Sequence, residues 1–131
     1  MTVPTLRFDT LLLPGMGRAV GMARRWLMDV LENHPALDDA TLCTSELLTN
    51  AIRYTESGRD GQIRVELSYS DELVRVEVAD DGDAESVPHL ITADETDVCG
   101  RGLLIVAFLS TAWGVRREGK GHAVWFEIHH P

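Results

Sequence analysis

Ser45-Glu46-Leu47-Leu48-Thr49-Asn50-Ala51-Ile52-Arg53 is the stretch from which this chain of 131 residues is best read. On a helix each residue advances about 100°. With Glu46 at zero, Asn50 falls at about 40° and Arg53 at about −20°. Ala40, Leu47, Leu48, Ala51 and Ile52 fill the opposite arc. One helix thus carries a carboxylate, a carboxamide and a guanidinium in a stripe beside a face that must be buried. The carboxylate can take a proton from water or a hydroxyl. The carboxamide oxygen, one turn away, can complete the coordination of Mg²⁺, which prefers hard oxygen ligands. The plain alternative is a solvated polar stripe with an Asn50–Arg53 contact.

Outward from this stretch, the helix is predicted to start at Asp38 and run to about Tyr54. Asp38 would cap the free amides, with Leu37 and Leu42 as an apolar staple. Upstream, Leu6 to Leu13 reads as a strand closed by Pro14-Gly15. Met16, Ala19, Val20, Ala23, Trp26, Leu27, Val30 and Leu31 then recur at helical spacing up to Asn33-His34-Pro35. Downstream of the loop Ser57-Gly58-Arg59-Asp60-Gly61, Ile63, Val65, Leu67 and Tyr69 alternate with polar residues. Val74, Val76 and Val78 do the same, which predicts an antiparallel hairpin. Residues 80–99 show no periodicity and carry Gly82, Pro88 and seven acidic residues. Helical pattern resumes at Leu103, and two strands follow, near 113–117 and 123–129. The expected fold is α+β: a two-layer sandwich of a mixed, mostly antiparallel five-stranded sheet with three helices on one face. Residues 1–131 form one domain in this reading.

Composition narrows the function. Twelve Lys and Arg against 21 Asp and Glu give a formal charge of −9. A direct nucleic-acid binder needs a basic footprint, which this chain lacks. A basic protein partner, or a nucleotide arriving with a divalent cation, fits better. No apolar run is long enough for a membrane span and the N-terminus has no signal-peptide pattern, so a cytoplasmic protein without membrane association is expected. Cys43 and Cys99 are far apart and read as ordinary thiols. His34, His89 and His122 lack partners at metal-ligand spacing, and His129-His130 is too short a tract for a metal site. Trp113 and Trp125 read as strand packing.

Two further motifs carry chemistry. Asp80-Asp81-Gly82 closes the valine strand. A carboxylate there can accept a hydrogen bond from an exocyclic amine, and the glycine lets a flat ring approach. A plain Asp-Gly turn is the alternative. Gly100-Arg101-Gly102-Leu103 leads into the third helix, where exposed amides at the positive helix end suit phosphate oxygens. It is neither a Rossmann fingerprint nor a P-loop.

In order, Glu-x-x-x-Asn-Ala on a helix, Asp-x-Gly after a strand, an irregular loop and Gly-x-Gly-Leu opening a helix resemble the gyrase, heat-shock chaperone, histidine-kinase and MutL (GHKL, Bergerat-fold) ATPase superfamily. The resemblance spans about residues 16–129. The short chain, Glu-Leu-Leu-Thr-Asn-Ala, Gly-Arg-Gly-Leu and the ending Ala-Val-Trp-Phe-Glu-Ile look most like stand-alone anti-sigma-factor serine/threonine kinases and related actinobacterial regulators. The resemblance implies Glu46 as general base and Asn50 as Mg²⁺ ligand. Asp80 would read adenine, with Gly82 beneath the ring. Gly100, Arg101 and Gly102 would form the phosphate loop, with Arg53 and Leu103 completing the nucleotide-binding set. Residues 83–99 would be a lid.

Three departures stand out. Ala84 replaces the second glycine of Asp-x-Gly-x-Gly. Ala123 stands where a threonine often faces adenine. The lid is acidic and lacks lysine or arginine before Arg101. The implied function is that of an ATP–Mg²⁺-dependent anti-sigma factor with serine/threonine kinase activity. It would phosphorylate an anti-sigma-factor antagonist and hold a sigma factor or similar regulator. The resemblance also admits a homodimer. A catalytically silent, nucleotide-dependent binding module is the alternative reading.

Overall fold

The computed structural model describes residues 5–54, 61–80, 98–119 and 121–130. The elements run β1 (Arg7–Pro14), α1 (Arg18–Val30), α2 (Leu37–Tyr54), β2 (Gln62–Ser70), β3 (Leu73–Asp80), α3 (Val98–Leu109), β4 (Ala112–Glu118) and β5 (Gly121–His129). The sheet order is β1-β2-β3-β5-β4. Every pairing among the described strands is antiparallel, so the expected mixed sheet is corrected to an antiparallel one. The chain leaves β3, passes through α3 and β4, and returns as β5 between them, opposed to both neighbours.

Register explains the core. Leu11, Val65, Val78, Val124 and Val115 face one another across five strands, as do Leu67, Val76, Phe126 and Trp113 across four. Alternation sends one set of side chains to one side of the sheet. There α2 lies between α1 and α3 and packs on β3. Its predicted apolar arc is buried, with Ala40, Leu47, Leu48 and Ala51 all in the core. Ala19, Ala23 and Leu27, one turn apart along α1, close the layer. Among the described residues, no helix is long and apolar enough to cross a membrane.

The outer face of the sheet is packed too. A Cβ at Gly114 would meet the Trp125 indole at 2.9 Å, so only glycine leaves room for the ring. The Arg75 guanidinium sits 4.8 Å from the Trp125 ring centre. The largely buried Glu77 carboxylate pairs with Arg116 at 2.6 Å and Arg75 at 3.8 Å. Trp125 is therefore strand packing, as expected.

Two helix starts differ from expectation. Helix α2 begins at Leu37, with Asp38 and Asp39 inside its first turn. The Ala40 N–H donates to Ala36 O at 2.9 Å, so Asp38 is not the capping residue. The Ala36 N–H is satisfied by His34 Nδ1 at 3.0 Å. Since Nδ1 accepts, Nε2 carries the proton, and it donates to Ser70 O at 2.7 Å. The ring thus ties the α1–α2 turn to the β2–β3 hairpin. Leu42 is exposed and makes no staple. Helix α3 begins at Val98, ahead of Leu103, so Gly100 and Gly102 lie inside it rather than before it. Glycine inside a helix costs about 1 kcal/mol. The contact Gly102 makes with α2 explains why that cost is met.

Candidate functional site

Glu46 and Asn50 stand one turn apart on α2, and α3 covers them. A Cβ at Gly102 would lie 3.0 Å from Glu46 Oε2, 3.6 Å from Glu46 Cβ and 3.6 Å from Asn50 Nδ2. The space a methyl group would fill is therefore the space in which carboxylate and carboxamide meet the α3 backbone. Asn50 is buried, at 7% exposure, which removes the solvated-stripe alternative at that position. Its Nδ2 has no hydrogen-bond partner among the described residues. A buried amide left unpaired costs about 1–3 kcal/mol. A bound oxygen-rich group would satisfy it. Glu46 is half-buried, and Arg53 is exposed in the last turn of α2.

The rear of this stripe is tied to α1. Arg24 Nε donates to Ser45 Oγ at 3.2 Å, and Ser45 Oγ donates to Thr41 O at 2.8 Å. Nothing in the local sequence pattern of Arg24 marks a partner on another helix.

Asp80 ends β3 directly opposite Ile63. Ile63 is a core residue, so the Asp80 side chain projects from the helix-covered side of the sheet. Its Oδ1 accepts the His122 N–H at 3.3 Å. The start of β2, which follows α2, pairs with the end of β3, so Asp80 and the C-terminal half of α2 occupy the same end of the sandwich. The register also revises the partner position on β5. Ala123 pairs with Ala79 and lies on the outer side, whereas His122, 8% exposed, shares the side of Asp80. The alternation of Val124, Phe126 and Ile128 carries this signal in the sequence, whereas the motif by itself does not.

Leu103 is turned into the core. Gly100 and Arg101 lie in the first turn of α3, and Val98 and Cys99, expected to close the lid, are helical. The Gly102 N–H, fifth in α3, falls within the helical hydrogen-bond ladder, as does the fourth, so the free amides within α3 belong to residues 98–100. Gly82, Ala84 and the rest of the expected lid, 83–97, lie outside the described residues.

The donors suit a hard cation that arrives with other oxygens. Among the described residues, no cluster of three or more His, Cys, Asp or Glu could hold a metal. Mg²⁺ commonly takes one or two protein oxygens and completes its shell with water and substrate phosphates. Asn50, with Glu46 beside it, fits that pattern.

A family model described as histidine kinase-like ATPase domain matches residues 14–128. No curated protein matches the sequence. Among solved structures, the RsbU and RsbW domains of Rv1364c from Mycobacterium tuberculosis superpose with a TM-score of 0.69 at 19% identity, over 94% of this chain and 32% of that one. The histidine kinase domain of the blue-light activated histidine kinase EL346 from Erythrobacter litoralis gives 0.55 at 24% identity, over 89% and 61%. These likenesses concern the fold, and this chain spans less than two thirds of the length of either.

Proposed function

Because this chain belongs to the histidine kinase-like ATPase domain family, we propose that it binds ATP with Mg²⁺ and transfers phosphate to a serine or threonine of a regulatory protein. The substrate in this reading is an anti-sigma-factor antagonist, and the unopposed protein holds a sigma factor. The likeness to a structure containing an RsbW domain supports this choice. The observation that carries the reading is the closeness of Gly102 to both Glu46 and Asn50.

In this proposal Asp80 accepts a hydrogen bond from the adenine amine and the first turn of α3 receives phosphate oxygens. Asn50 would hold Mg²⁺, which when bound neutralises phosphate charge. Glu46 accepts the proton of the attacking hydroxyl as its oxygen bonds to the γ-phosphorus and ADP leaves. The rigid helix keeps Glu46 and Asn50 at fixed spacing during the transfer.

A second reading, a nucleotide-dependent binding module without transfer, has one observation in its favour. Residues 81–97 carry six acidic residues and no lysine or arginine, a composition that repels triphosphate. Incubation with γ-labelled ATP and antagonist proteins from the same genome separates the two. Label on an antagonist, lost with Glu46→Ala, is the expected result. ATP binding without label on any of them favours the module, and no ATP binding overturns both.

A further inference from the structure

Helix α3 has no charged residue from Leu103 to Leu109, and a helix apolar all round is ordinarily buried. Only one side of it is. Leu103 and Val106 are in the core, while Leu104 is 71% and Phe108 87% exposed. With Ile105, Leu109 and the exposed Leu42 of α2 they line an open apolar hollow of about 370 Å³. Leu104 and Phe108 stand one turn apart, as do Ile105 and Leu109, so the floor is a double row running along the helix. Contiguous exposed apolar surface of this kind marks a site of association.

The charges that flank Leu42 on the α2 side of the hollow have one sign. On α2, Asp38 and Asp39 lie one turn before Leu42 and Glu46 lies one turn after it. No lysine or arginine occurs between residues 38 and 50. A second copy would set one acidic bank against another, on chains of formal charge −9 each. Residues 81–97, with six acidic residues and no lysine or arginine, supply no cation to face that bank either.

We propose that the α2–α3 hollow docks an amphipathic helix of a partner protein. Its apolar residues, at i, i+3, i+4 and i+7, cover Leu104 and Phe108, and its lysines or arginines face Asp38 and Asp39. Helix-in-groove recognition of this type places affinity in the apolar anchors and orientation in the charges. Glu46 follows Leu42 by one turn on α2 and lies beside Gly102 of α3, so a segment docked in the hollow runs towards the carboxylate. Docking does not depend on phosphotransfer and is measured without nucleotide.

The test uses the full chain and a fluorescent synthetic peptide with leucines at that spacing and flanking lysines. A scrambled peptide of the same composition and a glutamate-flanked version serve as controls, and binding is followed by anisotropy. The lysine-flanked peptide binds, and raised salt weakens it. Leu104→Ser with Phe108→Ser lowers affinity by at least about tenfold, the scale of losing interface anchors. Asp38→Lys with Asp39→Lys, a change on the exposed first turn of α2, lowers it about threefold to tenfold and flattens the salt dependence. Both variants are checked by circular dichroism, and the second stands alone if the first unfolds. Equal binding of either control peptide, or wild-type affinity in folded variants, overturns the proposal. A dimer of the wild-type chain that Leu104→Ser with Phe108→Ser converts to monomer assigns the hollow to a second copy and overturns it too.

Discussion

Gly102 approaches Glu46 so closely that a methyl group on α3 would stand 3.0 Å from the Oε2 of the α2 carboxylate. The obstructing atom ends a flexible side chain, so the carboxylate, rather than the backbone, would give way. Alanine also suits a helix interior better than glycine by about 0.5–1 kcal/mol. Gly102→Ala is expected to leave the melting temperature unchanged or raised while lowering phosphotransfer. Thermal unfolding and labelled-ATP transfer on the same sample check this. A lowered melting temperature would mean that the helices cannot relax.

Asn50 and Glu46 should separate binding from chemistry. Asn50→Ala removes a buried amide whose nitrogen lacks a partner, so the stability of the free protein should change by less than about 1 kcal/mol, the lost packing offset by the removed polar penalty. ATP affinity should nevertheless fall, and added Mg²⁺ should restore it only in part. Glu46→Ala should keep ATP affinity and lower transfer by about 10²–10⁴, the scale of a general base. Calorimetry and single-turnover transfer distinguish the two, and a Glu46→Ala protein transferring at the wild-type rate would remove the base assignment.

Asp80→Asn keeps an oxygen able to accept the His122 N–H, so the fold should survive. It also places a donor where the adenine amine needs an acceptor, which should weaken ATP by about 1–3 kcal/mol. His122→Thr should alter ATP affinity, because His122 shares the side of Asp80, whereas Ala123→Ser on the outer side should not. Equal effects at 122 and 123 would contradict the strand register.

Cys43 is fully buried in α2. Burial first, then the charges of Asp39 and Glu46, push its thiol from 9.0 up to about 12. In the folded protein it should resist iodoacetamide at pH 8–9, and it should react on unfolding, when studied in a Cys99→Ser background. The unfolded chain releases this proton first as pH rises, so the thiol's contribution to stability is intact below about 9 and declines from there towards about 12. Rapid alkylation of the native protein would show that α2 opens locally.

Much of this was visible along the chain. The 100° arithmetic on residues 45–53 separated the Glu46–Asn50–Arg53 stripe from the Leu47–Leu48–Ala51 arc, and the arc is core. Period-two alternation in 63–69 and 74–78 anticipated the β2–β3 hairpin. Both signals are local: they depend on the geometry of one helix or one strand pair and on the need to bury one side of it.

What could not be seen along the chain depends on elements that meet in space. His34 reads as an isolated histidine until the hairpin brings Ser70 O to its ring. The glycine pair reads as a loop until α3 is laid on α2, where the room left by Gly102 for Glu46 accounts for a glycine inside a helix. His122 joins Asp80 only once the β3–β5 register is known, because a shift of one residue would turn Ala123 to that side instead. Periodicity settles which way a side chain points from its own element. Which residue it then meets is set by how the layers pack, since those contacts join segments with no local pattern in common.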